Sequence, residues 1–575
     1  MFDLPTSVNH QKTFYSMNSL KKIIHLSFFL LSFSGLSQTQ DQAKINIDLS
    51  KTKEKMKPIY AWFGYDEPNY TYMKDGKKLL SEIAALSPVP VYVRAHSLLV
   101  TGDGIPNLKW GSTNAYTEDA QGNPIYDWTI IDQIFDTYVQ RGMKPLAQIG
   151  FMPEALSTHP VPYKHNWKPG DKYNDIYTGW AYPPKDYKKW AELVYQWVKH
   201  SVARYGKKEV ESWYWEVWNE PNSAYWKGTQ AEFFKLYDYS SDAVKRALPT
   251  ARIGGTDVTG DGMKFQEAFL KHCLFDTNYV TKKIGSPLDL ILFHAKGSPK
   301  IEQGKVVMSA RAQLKNIENH LKVIQAYPQY KNLPIVIGES DPEGCAACGM
   351  ATSPQNAYRN GTMYSSYTAA TFARKYELAQ KYDANLLGAV TWAFEFENQP
   401  WFYGFRDLAT NGVDKPVLNV FRMFGKMQGD FVEAKSDHSY PLQMALDSSF
   451  RGPKTDIGTL ATKHKNSASI MLWNYHDVDK KGEFSKVSID ITGITSSSAK
   501  LIHYRIDDDH SNSYELWKKM GSPQNPTPAQ IAALEKAGQL AMVKPPKKVS
   551  ISKGTLHVET DLPRQAVDLF QLTWL

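Results

Sequence analysis

Long apolar runs and basic tracts are scarce in this chain of 575 residues. Beyond the first 37 residues no apolar run reaches membrane-spanning length, so we expect no membrane span. The 67 lysines and arginines exceed the 59 aspartates and glutamates by only 8. They form no basic helix or arginine-rich tract, so nucleic-acid binding is not expected. The mild positive balance favours an anionic substrate.

Cysteine is also scarce, with three in the whole chain. Cys345 and Cys348 form a C-x-x-C pair, whereas Cys273 lies in a predicted helix. A zinc site would need a second pair of ligands, and a redox motif would need a thioredoxin-like context; both are absent. The pair is therefore interpreted as a local disulfide or as two packed thiols that shape a loop, and no metal or cofactor is predicted.

The N-terminus has the pattern of an export signal. Lys21 and Lys22 precede an apolar stretch at 23–36, and small residues follow it. We expect a signal peptide over 1–37, with Met17 as an alternative start of translation, and a periplasmic or secreted protein. No cysteine lies near the cleavage region, which disfavours a lipoprotein.

Between residues 59 and 430, short apolar strands alternate with amphipathic helical segments. The predicted strands are 59–65, 91–96, 144–151, 212–220, 251–257, 288–295, 334–339 and 388–394. Eight such units predict an α/β fold, a (β/α)8 TIM barrel. A doubly wound open sheet is the alternative, but no glycine-rich phosphate loop follows the first strand.

The pattern changes near residue 430. Short alternating segments separated by turn residues predict a C-terminal β-sandwich domain over 431–575. The segment 38–58 contains a strand-like stretch that is expected to join this sandwich. Aromatic residues make up 13% of the chain, which suits either carbohydrate binding or a large packed core.

The string Trp218-Asn219-Glu220-Pro221-Asn222 places a glutamate where a predicted strand ends. Removing a carboxyl from water disfavours its charged form, so a carboxyl enclosed by tryptophans suits a general acid. A buried glutamate paired with an arginine is the alternative interpretation.

Other functional side chains also fall at the predicted strand ends, where barrel enzymes place their active sites. Glu220 ends the fourth strand and Glu339 ends the seventh, so the two carboxyls should face each other across the barrel mouth. Such a pair is the machinery of glycoside hydrolysis. Asp257, Asp341 and Glu343 lie near strand ends as well, but the sequence offers them no partner at a fitting position.

The chain resembles glycoside hydrolase family 39, a retaining family, from about residue 44 to its end. The stretches that carry the resemblance are Val93-Arg94-Ala95-His96-Ser97-Leu98-Leu99, Ile149-Gly150-Phe151-Met152-Pro153, Trp218-Asn219-Glu220-Pro221-Asn222, Asn332-Leu333-Pro334 before Glu339, Tyr504-Arg505-Ile506-Asp507 and Asn512-Ser513-Tyr514-Glu515-Leu516-Trp517. The resemblance implies that Glu220 is the acid/base and Glu339 the nucleophile.

The same resemblance implies further contacts with an oligosaccharide substrate. Asn219 would hydrogen-bond the sugar 2-hydroxyl, an interaction that strengthens in the transition state. The remaining implied contacts are His96, His294 and Trp392 around the reacting sugar, with Glu397 or Glu395 on its outer hydroxyls.

Two departures from the family pattern concern the substrate. The family usually has His-x-Tyr after the sixth strand, whereas this chain has His294-Ala295-Lys296. Lys296 is expected either to meet an anionic substituent, such as sulfate or carboxylate, or to point away. The segment 340–360, which carries both cysteines of the pair, is expected to reshape the subsite entrance.

These observations predict an exported, retaining exo-β-xylosidase acting on plant or algal oligosaccharides, including sulfated ones such as those of ulvan. An α-L-iduronidase-like or other β-glycosidase activity is the nearest alternative. A non-catalytic carbohydrate-binding protein is the alternative from another class, but such a protein has no need of two opposed acids.

Overall fold

The computed structural model describes residues 42–168, 171–479, 482 and 484–574. The predicted signal peptide over 1–37 lies outside the described residues. Within the described residues, no helix is both long and apolar enough to cross a membrane.

In the described part of the chain, eight parallel strands form a closed barrel. They are Trp62–Tyr65, Tyr92–Ala95, Lys144–Ile149, Tyr214–Val217, Arg252–Val258, Leu290–Lys296, Ile335–Asp341 and a broken eighth strand, Leu386–Ala389 with Thr391–Trp392. The first half of the eighth strand pairs with the seventh, and its second half pairs with the first. The predicted TIM barrel is confirmed, and the open-sheet alternative is wrong because the sheet closes.

The barrel strands are apolar runs because both faces of each strand are covered. Leu290–Lys296 is buried at every position except its last, as expected for a parallel sheet enclosed by helices. The helices around the barrel and beside it are Lys74–Ala84, Thr129–Val139, Tyr187–Tyr205, Lys207–Val210, Gln230–Ala247, Met263–Phe275, Ala310–Gln325, Thr362–Lys381 and Pro416–Lys426. Several buried polar side chains lie at or near the carboxyl ends of these strands, among them Asp257, His294 and Glu339.

A second, mostly antiparallel sheet contains ten strands of the described residues. Their order is Ala541–Met542, Ser498–Ile506, Val567–Trp574, Ser467–Tyr475, Asp456–His464, Asp430–Ser436, Ala43–Lys55, Ser485–Thr492 and Leu556–Leu562, with Lys547–Ser550 beside Ser498–Ile506. Leu501 and Leu572 near one end share a core with Ile489 and Leu556 near the other. The sheet therefore folds over itself, which confirms the predicted sandwich.

The remaining described α-helices and strands lie in connections, as do six short 3-10 helices. They are the helices Leu442–Ser448, Ser513–Lys519 and Pro528–Gly538, and three hairpins formed by Tyr116–Glu118 with Pro124–Tyr126, Lys300–Glu302 with Lys305–Val307, and Ala409–Thr410 with Val413–Asp414.

The barrel and the sandwich are joined by buried polar contacts of the helix Thr362–Lys381. Arg374 Nη2 donates to the carbonyl of Tyr440 at 2.8 Å and to Asp456 Oδ1 at 3.1 Å. Ser366 Oγ donates to Gln565 Oε1 at 2.6 Å. A buried charge paired across an interface is costly to expose, so these contacts fix the sandwich against the side of the barrel that carries the seventh and eighth strands.

Candidate active site

Glu220 is positioned by an irregular turn after the fourth strand. The strand ends at Val217, earlier than predicted, and Trp218 and Glu220 adopt positive φ angles of 68° and 44°. Non-glycine residues in this region are uncommon and are concentrated at functional sites. The Glu220 N–H donates to the carbonyl of Asp257 at 2.9 Å, so the end of the fourth strand is tied to the end of the fifth.

The polar partner of the Glu220 carboxylate is an imidazole. His294 Nδ1 lies 2.8 Å from Glu220 Oε1, and the Glu220 side chain is 19% exposed. The indole of Trp218 donates instead to the carbonyl of Tyr225 at 2.9 Å. The tryptophan-rich string therefore indicates where the glutamate lies but does not reveal its partner.

His294, at the end of the sixth strand, contacts three carboxylates. Besides Glu220, its Nε2 atom lies 3.1 Å from Asp257 Oδ1 and 3.8 Å from Glu339 Oε1. Burial alone would lower the pKa of His294, but the charges of Asp257 and Glu339 raise it to about 10. The ring is therefore protonated at neutral pH, and this single cation links the fourth-strand and seventh-strand glutamates.

Glu339 is surrounded by cationic groups. Its carboxylate lies 2.6 Å from Lys296 Nζ and 3.3 Å from Arg94 Nη1. Burial alone would raise the pKa of Glu339, but Lys296 and His294, followed by His96 and Arg94, hold it well below its usual range. The side chain is 9% exposed, and it is ionised at neutral pH. A buried, ionised carboxylate at the barrel mouth can act as a nucleophile.

Asp257 is a third carboxylate of this site, and it was not among the site residues predicted from the sequence. It contacts Arg94 Nη2 as well as His294. Burial alone would raise its pKa, but Arg94 and His294 lower it. Gly338 makes room for it, since a Cβ atom there would lie 2.0 Å from Asp257 Oδ1.

Arg94, on the second strand, is the central cation that the sequence analysis missed as a site residue. Its fully buried guanidinium donates to Glu216 Oε1 at 2.5 Å and to Asn219 Oδ1 at 2.9 Å. Burial alone would lower the Arg94 pKa, but Asp257 and Glu216 raise it above its usual value. The available signal was the string around His96, in which Arg94 falls inside the predicted strand 91–96.

Asn219 is held through this arginine. Its oxygen accepts from Arg94, and its Nδ2 atom has no hydrogen-bond partner among the described residues. The amide can therefore donate to a sugar hydroxyl, as the family resemblance implies.

His96 and Trp392 lie together beneath the seventh-strand glutamate. Their rings are 4.4 Å apart, and His96 Nε2 is 3.6 Å from Glu339 Oε1. His96 Nδ1 lies 2.8 Å from Asp66 Oδ1, and the pKa of His96 is lowered chiefly by burial. Gly64 of the first strand leaves the space that the Trp392 indole occupies, because a Cβ atom at position 64 would lie 2.4 Å from that ring.

Lys296 does not point away from the site, and contact with an anionic substituent remains a prediction. Its Nζ atom lies 2.6 Å from Glu339 Oε2 and 2.6 Å from Asp341 Oδ2. Asp341 also accepts the backbone N–H of Trp392 at 2.9 Å. The lysine contacts the two seventh-strand carboxylates.

The two glutamates after the eighth strand contact backbone N–H groups. Glu395 is buried and accepts from Gly412 N, and burial raises its pKa well above the usual range. Glu397 accepts from the N–H groups of Asp75 and Gly76 at the start of the helix Lys74–Ala84. Both carboxylates thus hold connecting segments near the mouth, and contact with sugar hydroxyls remains a prediction for them.

Cys345 and Cys348 form a disulfide, which decides between the two interpretations of this pair. Buried Arg359 donates to the carbonyls of Cys345 at 2.8 Å and Cys348 at 3.1 Å, and to Glu343 Oε1 at 2.7 Å. Glu343 also accepts from Arg406 at 2.8 Å. The loop is therefore connected by buried charges to the carboxyl side of the seventh strand.

Metal ligation is not indicated by the geometry. Among the residues that the structure describes, no group of three or more His, Cys, Asp and Glu side chains is arranged to hold an ion. The acidic residues of the mouth are paired with Arg94, Lys296 and His294 instead.

Comparison with known proteins gives matches along most of the chain. The family described as Glycosyl hydrolases family 39 matches residues 43–554. A β-xylosidase of Geobacillus stearothermophilus is 25% identical over 498 residues, which cover 84% of this chain and 86% of that protein. The α-L-iduronidase of Mus musculus is 23% identical over 405 residues, 65% of this chain and 60% of that protein. The crystal structure of the GH39 enzyme from Xanthomonas axonopodis pv. citri has a TM-score of 0.73 at 20% identity and covers 94% of this chain and 99% of that one.

Proposed function

This chain belongs to glycosyl hydrolase family 39, and from that premise we propose that it is an exported β-xylosidase that removes terminal xylose from plant or algal oligosaccharides. As a member of the family it is a glycosidase, and retention of anomeric configuration is general to the family. The observation that carries the proposal is the pair Glu220 and Glu339, which contact opposite nitrogens of the His294 ring.

In the first step, a carboxylate oxygen of Glu339 forms a bond to the anomeric carbon while the bond to the leaving oxygen breaks. Glu220 gives its proton to that oxygen. In the second step, water attacks the anomeric carbon, the ester bond to Glu339 breaks, and Glu220 takes the proton from the water. The first step requires Glu339 to be ionised, the second step releases it as a carboxylate again, and the surrounding cations favour that state.

His294 supports the exchange of roles by Glu220. Its imidazolium donates to the Glu220 carboxylate at 2.8 Å and thereby orients it. When Glu339 becomes an ester, it loses the negative charge that helps to raise the pKa of His294. At that stage Glu220 has given its proton to the leaving oxygen, so its carboxylate supplies a negative charge beside the ring, and the hydrogen bond from His294 holds it in place to accept the proton of the water.

The state of Lys296 favours a neutral sugar. A β-D-xyloside and an α-L-iduronide have the same ring configuration from C1 to C4, and they differ by a carboxylate on C5. The Lys296 ammonium is already shared by Glu339 and Asp341 at 2.6 Å each. A cation that is balanced in this way gives little net attraction to a third carboxylate.

An α-L-iduronidase-like activity is the second candidate. Lys296 is 17% exposed at the mouth, and the chain is 23% identical to mouse α-L-iduronidase over 405 residues. A substrate carboxylate that displaced Asp341 from the ammonium would make use of this lysine.

Substrates with one leaving group distinguish these activities. We expect kcat/KM for 4-methylumbelliferyl β-D-xylopyranoside to exceed that for the α-L-iduronide by about tenfold or more, the range in which one unmatched group is discriminated. A preference for the iduronide would establish the second candidate. Hydrolysis of no glycoside, with binding retained, would establish a carbohydrate-binding protein.

Exo action and export have separate tests. Xylo-oligosaccharides should lose one xylose at a time from the non-reducing end, and release of longer fragments would contradict exo action. The same digestion on sulfated ulvan oligosaccharides tests the algal source. If the signal is cleaved as the sequence predicts, sequencing of the exported protein should begin near residue 38, whereas retention of the full chain in the cytoplasm would contradict export.

A further inference from the structure

The seventh strand presents two carboxylates to one lysine of the sixth strand. Glu339 and Asp341 are two residues apart, so they lie on the same face of the strand, and Lys296 is the register partner of Asp341. The ammonium lies 2.6 Å from an oxygen of each. Because an ammonium carries three donors, two of them are used in this bridge.

The Asp341 end of the bridge is fixed, whereas the Glu339 end faces the mouth. Asp341 is fully buried, its Oδ1 accepts the N–H of Trp392 at 2.9 Å, and its Oδ2 lies 3.6 Å from Arg406 Nη2. The Glu339 side chain retains some exposure. The position of the Lys296 ammonium is therefore set mainly by Asp341, which is held by these additional contacts.

The retaining reaction changes the charge of only one of these carboxylates. Formation of the glycosyl ester removes the negative charge of Glu339, and hydrolysis of the ester restores it. A lysine that paired with Glu339 alone would become a poorly solvated cation in the intermediate, which is costly. Asp341 keeps its charge throughout and remains the counter-ion of Lys296.

We propose that Asp341 is a positioning residue that shares the Lys296 ammonium with Glu339, and so balances the charge of the site in the glycosyl-enzyme. This inference rests on the proposed nucleophilic role of Glu339. It makes Asp341 important for forming the ester, since formation leaves Lys296 dependent on Asp341. Hydrolysis of the ester returns Glu339 to the lysine, so that step does not need Asp341.

Asp341→Asn tests the inference because it removes the charge and leaves an oxygen that can still accept the N–H of Trp392. For aryl β-xylosides with poor leaving groups, kcat/KM reports ester formation, and we expect it to fall roughly 10- to 100-fold, the usual effect of losing a supporting electrostatic partner. For a 2,4-dinitrophenyl glycoside, kcat is limited by ester hydrolysis, and we expect it to fall less than about threefold.

The double variant Lys296→Gln/Asp341→Asn is the matched control. It removes the lysine together with its counter-ion. The loss of kcat/KM in the double variant should therefore be smaller than the product of the fold-losses in the two single variants. Parallel loss of both rates in Asp341→Asn, or no loss, would overturn the inference.

If Asp341→Asn does not fold, Lys296→Gln is compared with the double variant. In the pH profile of kcat/KM, the acidic limb should then lie at lower pH for the double variant than for Lys296→Gln, because the charge of Asp341 no longer repels that of Glu339. Acidic limbs at the same pH in the two variants would overturn the inference.

Failure of the proposed function gives a different result. If the wild-type chain hydrolyses another glycoside and no xyloside, the same measurements apply to that glycoside and the charge-sharing inference is still tested. If the wild type is active and its two steps respond alike, the substrate proposal stands and the charge sharing is wrong.

Discussion

The fourth-strand and seventh-strand sides of the barrel mouth carry the same residue type in different surroundings. Glu220 is 19% exposed and has the single imidazole of His294 at 2.8 Å. Glu339 is 9% exposed and lies among Lys296, Arg94 and two histidines. Two glutamates can thus take opposite roles because their environments differ, as in other paired-carboxylate enzymes.

The surroundings explain which glutamate is suited to which role. A nucleophile must stay ionised, and several cations around Glu339 favour the ionised form even though it is buried. An acid/base must gain and lose a proton in each cycle, and Glu220 is in contact with solvent and one titratable group. Substitutions on the fourth-strand side or the seventh-strand side of the mouth test this comparison.

Glu339→Ala should have the largest effect. With no nucleophile, turnover of aryl β-xylosides should fall on the order of 10⁴- to 10⁶-fold, as for loss of a catalytic nucleophile elsewhere. Steady-state kinetics measures the loss. Glu302→Gln, on an exposed hairpin, is a control that should retain full activity, and retained activity in Glu339→Ala would remove Glu339 from the mechanism.

Glu220→Ala should have a smaller effect that depends on the leaving group. General-acid catalysis contributes about 10²- to 10⁴-fold, and a good leaving group needs little of it. We expect the full loss for methyl or sugar leaving groups and a small loss of kcat/KM for 2,4-dinitrophenyl. An equal loss of kcat/KM for all leaving groups would contradict the role of Glu220 as the acid.

Arg94→Lys should lower activity roughly 10- to 100-fold, as expected for a partner that orients catalytic groups. A lysine keeps the charge but cannot hold Glu216, Asn219 and Asp257 with one planar group. The measurement is kcat/KM together with the melting temperature. Full activity would show that a charge alone suffices at this position.

His294 should make the stability depend on pH. Its pKa is raised in the folded state to about 10, so its stabilising contribution is complete below the unfolded pKa of about 6.5 and is lost as pH rises toward 10. Between these pH values, the melting temperature of the wild type should fall by several degrees more than that of His294→Gln. If the melting temperatures of the wild type and of His294→Gln fall equally over this pH range, His294 is not charged in the folded protein.

The double variant Cys345→Ser/Cys348→Ser should have the smallest effect on activity. Closing a loop this short is worth about 2 kcal/mol in the chain-entropy account, and Arg359 still binds the loop carbonyls. We expect a lower melting temperature and less than a threefold change in kcat/KM. A large loss of activity would show that the disulfide itself positions the seventh-strand side.

The barrel and the places of Glu220 and Glu339 at its strand ends could be predicted from the sequence because both depend on local patterns. Apolar runs mark the strands, and Glu220 and Glu339 follow two of them directly. The contacts of Asp257 and Asp341 could not be predicted in this way, since their partners lie on other strands and depend on the barrel register.

Lys296 shows most clearly what could not be predicted from the sequence alone. The departure from the family pattern drew attention to it, but its orientation depends on the strand pairing that sets it opposite Asp341. The contacts of Glu395 and Glu397 likewise depend on the paths of connecting segments, which no periodicity encodes.

Azide rescue of the two glutamate variants tests the central claim most directly. In Glu339→Ala, azide should attack the anomeric carbon from the face that the carboxylate has vacated and give an α-xylosyl azide from an aryl β-xyloside. In Glu220→Ala, azide should attack the glycosyl ester on Glu339 and give the β-xylosyl azide. The anomeric proton coupling in the NMR spectrum distinguishes the two products. A β-azide from Glu339→Ala, or an α-azide from Glu220→Ala, would contradict the assignment of the two sides.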